Sequence, residues 1–208
     1  MGRQTRGRSI GIALAEDIRT LLGSPPDLIC RSVTTAENRS LQIIYLDSLV
    51  DRKTVDEFIV ESVRQNAFAE VPAASGSRYL REMSLAAPYG TLRDEAVQAA
   101  VSGQCVLVDE GRERICFIDT YGAPGRAVEE PKSEPTIRGS QEGFTENLRI
   151  NIGLIRKRIL NPALRFEQMR IGSRTGTCVA IAWMEGLAPA ALVREAKRRL
   201  AAVRTDSV

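Results

Sequence analysis

The 208-residue chain predicts an α/β protein made of two small α/β subdomains, each a short mixed sheet packed with helices. Three observations carry that prediction. Segments with helical spacing alternate with short apolar runs bounded by turn residues. The strand-like runs come in pairs joined by loops of hairpin length. An α-β-β-α order occurs twice, 138 positions apart.

Residues 1–9 read as a flexible basic tail. From Ser9 to Leu22, Ile10, Leu14, Ile18 and Leu21 fall on one side of a helix that Gly23-Ser24-Pro25-Pro26 ends. Two runs, Leu28–Thr34 and Ser40–Leu46, flank Thr35-Ala36-Glu37-Asn38-Arg39 and predict an antiparallel hairpin. Asp51 then caps a helix reaching about Gln65, with Val55, Phe58, Ile59 and Ser62 inward. Helical pieces are expected at Ser77–Leu85 and Leu92–Ser102, the second ending at Gly103. Gln104–Asp109 and Arg114–Asp119 form a second strand pair around Glu110-Gly111-Arg112. From Tyr121 to Gly139, Pro124, Pro131 and Pro135 accompany glycines in an irregular crossing segment.

The next helix opens the second half. Phe144, Leu148, Ile152, Ile155 and Ile159 recur at spacings of four, four, three and four, one apolar face. Arg149, Arg156, Lys157 and Arg158 fall mainly off it. Asn161-Pro162 breaks the pattern. Strands follow at Phe166–Ile171 and Thr177–Met184, and a last helix runs from about Pro189 to Val203.

The repeat pairs Leu14 with Ile152, Leu21 with Ile159, Leu28 with Phe166, Leu41, Ile43 and Tyr45 with Val179, Ile181 and Trp183, and Val55 with Val193. It fails at Ile18, which meets Arg156, and at Ile59, which meets Lys197. The expected organisation is a first subdomain over 10–125, a crossing linker over 126–139, a second subdomain over 140–203, and a tail from 204 to 208.

Composition narrows the function. Hydrophobic residues make up 43% and charged residues 26%, values of a soluble globular protein. A net charge of +3 is too small to argue for nucleic acid. With no histidine, the chain by itself supplies neither Ser-His-Asp nor Cys-His catalysis, nor a His-ligated metal site. No G-x-G-x-x-G or P-loop is present. Asp109, Glu110 and Asp119 gather near strand ends, a common place for acids. We therefore expect no enzyme, no cofactor and no metal. Cys30, Cys105, Cys116 and Cys178 form no C-x-x-C pair; they read as reduced core residues, with a Cys105–Cys116 bond left open. No apolar run approaches the ~18–20 residues that span a bilayer.

The crossing segment and the helix after it carry a specific pattern: Val128-Glu129-Glu130-Pro131, Glu134, Arg138-Gly139, Glu142-Gly143-Phe144-Thr145-Glu146, then Leu148-Arg149-Ile150-Asn151. This resembles the signature of the GerA-type spore germination receptor A subunit, whose hydrophilic N-terminal domain it matches; a related sporulation paralogue shares the layout. Ile44–Asp51 resembles the family's strand-to-helix element, with Ser48 where glycine is usual, and Val179–Leu187 resembles its second copy. The resemblance covers about Ile10 to Arg199. It implies a domain on the cytosolic face of the spore inner membrane, followed by a membrane domain absent from this chain. It also implies partnership with B and C receptor subunits and other A subunits, in a complex that answers nutrients and gates ions. The alternative it allows is a nutrient bound between the two subdomains.

The candidate interface or ligand-contact residues are Glu130, Arg138, Gly139, Glu142, Gly143, Phe144, Glu146 and Asn151. Arg138, Glu142 and Glu146 suit either an anion or partner site at a helix start or a capping network. Asn151 either bonds the crossing segment or faces solvent. Arg156-Lys157-Arg158 and Lys197-Arg198-Arg199 suit either phosphate and lipid headgroups or a solvated face. Trp183 is expected in the core.

Overall fold

Ser9 accepts a hydrogen bond from the Ile12 amide at 3.3 Å and so starts helix α1, Ile10–Leu21. The computed structural model describes residues 9–65, 80–122, 143–174 and 176–204. After α1 come β1 (Leu28–Thr34) and β2 (Ser40–Leu46). A π-helix at Thr54–Val60 continues into α2 (Glu61–Arg64). Next are β3 (Leu80–Ser84), α3 (Tyr89–Val101), β4 (Gln104–Asp109) and β5 (Arg114–Asp119), with a 3-10 turn at Glu110–Arg112 inside the last hairpin. The second part holds α4 (Leu148–Arg158), β6 (Leu164–Ile171), β7 (Thr177–Met184) and α5 (Ala190–Ala201).

β1 to β5 form one sheet in the order β1-β2-β4-β5-β3. Its central strands are apolar on both faces because both are covered. On one side Leu14, Ile18 and Leu22 of the first helix region and Leu92 and Ala96 of α3 meet Ile44, Leu46, Val106, Val108 and Phe117. On the other, Val55, Ile59, Val60 and Val63 meet Ile43, Tyr45, Leu107, Cys116 and Ile118. Among the described residues the second sheet is β6 with β7. Ile152, Leu164 and Phe166 form its small core, joined by Leu148, Ile155, Ala180 and Met184. On its other side Lys197 of α5 stands 4.9 Å from the Trp183 ring centre and pairs with Glu167.

The α/β class and the two sheet-and-helix units are those expected, but every pairing between the named strands is antiparallel, so neither sheet is mixed. The repeat holds at the level of elements: α1 and α4, and the two hairpins, lie 138 positions apart within a residue or two. Pairing differs by two residues. Leu28 faces Leu46, whereas Phe166 faces Ala182 rather than Met184.

Several expectations are corrected. Leu80–Ser84 is an edge strand on β5, not a helix. The segment after Asp51 is π-helical, and its wider turn buries Val55, Ile59, Val60 and Val63 while leaving Phe58 49% exposed. Phe144 precedes α4 and is 72% exposed, so it is not part of that helix's apolar face. Trp183 is half-buried rather than enclosed. Cys178 is exposed. The other three cysteines are also free; burial pushes the Cys105 and Cys116 thiols up to about 12. In the ladder Cys105 faces Ile118 and Cys116 faces Leu107.

Candidate functional site at the joint between the sheets

Helix α4 works with two faces. Leu148, Ile152 and Ile155 pack on the second sheet. Arg149, Gly153 and Arg156, at i, i+4 and i+7, form the neighbouring stripe; the first two meet the turn that leaves β2, and Arg156 meets Asp27, just before β1.

The start of the helix is well determined. Asn147 is its N-cap, accepting from the Arg149 amide at 3.0 Å and the Ile150 amide at 3.3 Å. Asn151 reaches back. Its Nδ2 donates to the Thr145 carbonyl at 2.7 Å and its Oδ1 accepts from the Thr145 amide at 2.8 Å. So Asn151 folds the polar turn onto the helix.

Arg149 bridges to the first sheet. Its Nε donates to Asp47 Oδ2 at 2.6 Å, and its Nη2 donates to the Asp47 carbonyl. Arg52 holds the same carboxylate, with its Nε 2.6 Å from Oδ1. Burial pushes the Asp47 carboxyl up, but hydrogen bonds from Arg52 and Arg149 outweigh it and hold the group below the usual range.

One turn on, helix and turn touch. A Cβ on Gly153 would lie 2.4 Å from the Ser48 carbonyl oxygen, so only glycine permits this approach.

Arg156 is 3% exposed and donates two hydrogen bonds to Asp27, Nε to Oδ2 and Nη2 to Oδ1, both 2.8 Å. Ser48 Oγ also donates to Asp27 Oδ2. The guanidinium lies over Phe166, 4.6 Å from the ring centre. Beside this joint a Cβ on Gly23, whose φ is +76°, would lie 2.4 Å from Arg165 Cδ. An open cleft of about 280 Å³ lies here, between Leu21, Asp94, Val97 and Gln98 on one side and Pro162, Ala163 and Arg165 on the other.

Of the residues singled out from sequence, Glu130, Arg138, Gly139 and Glu142 lie outside the described residues. Gly143, Phe144 and Glu146 are exposed beside the joint, and Asn151 is tied to Thr145. Sequence reasoning missed Asp27, Asp47, Arg149, Gly153 and Arg156 as a set. The available signal was a glycine inside a helix flanked by arginines four before and three after. Arg156 is not part of a solvated charge run. Its mismatch with Ile18 in the repeat marks the point where an ion pair replaces an apolar contact.

Residues 16–208 match the family described as Bacillus/Clostridium GerA spore germination protein. The chain belongs to the GerA family. It is 29% identical to spore germination protein KA of Bacillus subtilis, over 90% of this chain and 35% of that protein. It is 29% identical to stage V sporulation protein AF of the same organism, over 91% of this chain and 38% of that protein. The GerA-family chain thus spans between a third and two fifths of these relatives. Its fold matches the crystal structure of the N-terminal domain of the A subunit of the Bacillus megaterium spore germinant receptor GerK3. The TM-score is 0.65 at 22% identity, over 90% of this chain and 69% of that one. Among the described residues no helix is long and apolar enough to cross a membrane.

Proposed function

We propose that this chain is the N-terminal domain of a germinant receptor A subunit. Its role is to assemble the receptor and couple a nutrient signal to a membrane channel domain. Its partners are B and C subunits and other A subunits, and its place is the cytosolic face of the spore inner membrane. Units at 10–125 and 140–203, linked through 126–139, move or lock relative to each other in this role.

The carrying observation is the joint on α4. Discrete ion pairs to Asp27 and Asp47, with one glycine contact, fix the second unit on the first. Such a contact has a defined geometry and few apolar residues, so it suits an element that a partner repositions. The test removes residues 10–203 from the full-length protein in spores that lack other receptors. Loss of nutrient-triggered germination at normal abundance of the remaining subunits is expected; normal germination would reject the role.

A second reading places a nutrient in the 280 Å³ cleft between the units, where Gln98 and Asp94 face Arg165. Thermal-shift measurements against amino acids, sugars and nucleosides decide it: a saturable rise with one class, lost in Gln98→Ala, supports binding there.

A further inference from the structure

β7 reads Thr-Cys-Val-Ala-Ile-Ala-Trp-Met, eight residues without a charge. Such a run is typical of a strand covered on both faces and paired on both edges. Yet none of its residues is buried, and it is the edge of a two-stranded sheet. In the first unit its counterpart, β2, is paired on both edges: β1 takes one and β4 the other, antiparallel, at Gln42, Ile43 and Ile44. The matching positions in β7 are Ala180, Ile181 and Ala182, and among the described residues no strand pairs with them on that side. Two strands alone are marginal in water.

We propose that β7 is an interface at which a second copy of this chain pairs its own β7, antiparallel about a two-fold axis. Charge selects this occupant. The other open edges are guarded: β1 carries Arg31, β3 carries Arg81 and Glu82, and β6 carries Arg165, Glu167 and Arg170. Among the described strands, only β7 against β7 brings together two uncharged edges. A two-fold makes that pair antiparallel and self-complementary, as β2 with β4 is. The joined strands form a continuous four-stranded sheet with both β7 runs at its centre. This pairing stands whether or not the domain couples a nutrient signal, since it follows from the strand's composition and place.

The experiment measures mass in solution by light scattering and attaches a nitroxide to Cys178. Cys178 is the one exposed cysteine among the described residues, while the buried Cys105 and Cys116 thiols stay protonated. The expected result is twice the chain mass, with a label-to-label distance under about 30 Å, the most that two paired eight-residue strands allow. Ala182→Lys, at an exposed position, is expected to halve the mass with an unchanged circular dichroism melt. Three results overturn the proposal: a monomer whose β7 amides exchange freely, a monomer whose β7 amides are protected by its own chain, or a dimer that keeps its mass in Ala182→Lys with a longer label distance.

Discussion

Arg156 and Asp27, 129 positions apart in sequence, meet through two parallel hydrogen bonds of 2.8 Å with both side chains almost wholly buried. The pair seals the joint at the end of the stripe where Arg149 and Gly153 also touch the first sheet. Its stability contribution is asymmetric. A matched buried pair is close to neutral against an apolar replacement, while removing one partner strands a buried charge.

Arg156→Met is therefore expected to destabilise the domain by about 3–5 kcal/mol. Adding Asp27→Leu should recover most of that loss. Urea unfolding of the two variants and the parent measures both effects.

Gly153→Ala is expected to destabilise by about 1–3 kcal/mol, through overpacking against the Ser48 carbonyl. The sign is the informative part, because alanine stabilises an ordinary helix interior by up to about 1 kcal/mol relative to glycine. Faster amide exchange at Leu49 and Asp51 should accompany the loss.

The Asp47 pair has a defined pH window. Its carboxyl is depressed in the fold, so its contribution is complete above the unfolded value of about 3.9 and is lost as pH falls through the lower folded value. The stability advantage of the parent over Arg149→Ala should be level near neutral pH and shrink below about 4. Urea midpoints of both proteins across acid pH check this.

The π-helix separates two neighbouring apolar residues. Ile59→Ala should cost about 2–5 kcal/mol, since Ile59 is buried. Phe58→Ser should cost less, about 1–2 kcal/mol, since half of that side chain is still covered. Thermal denaturation of the pair distinguishes this π register from an α-helix, which would turn Phe58 inward.

Much of this fold was legible because local signals agreed with the final packing. β1, β2, β4 and β5 lie where alternation and turn residues place them, and Gly103 follows α3 at a φ of +81°. Leu80–Ser84 was not legible as a strand: Leu, Arg, Glu and Met favour helices, and pairing with β5 overrides that preference. Phe58 was misplaced because a 3.6-residue period does not describe a π-helix. The joint was hidden for a different reason. Its partners come from segments about 100 to 130 residues apart, and an arginine among basic neighbours gives no local sign that an aspartate beside β1 will bury it.

The most direct test of the account is germination by spores whose full-length protein carries Arg149→Ala, with its abundance checked by immunoblot and the isolated domain's folding checked by circular dichroism. If the joint couples the two units to the rest of the receptor, nutrient-triggered germination slows at least about tenfold, the effect of a lost coupling of about 1.4 kcal/mol, while abundance and folding hold. Germination at the parental rate, with the Arg149–Asp47 contact removed, would contradict it.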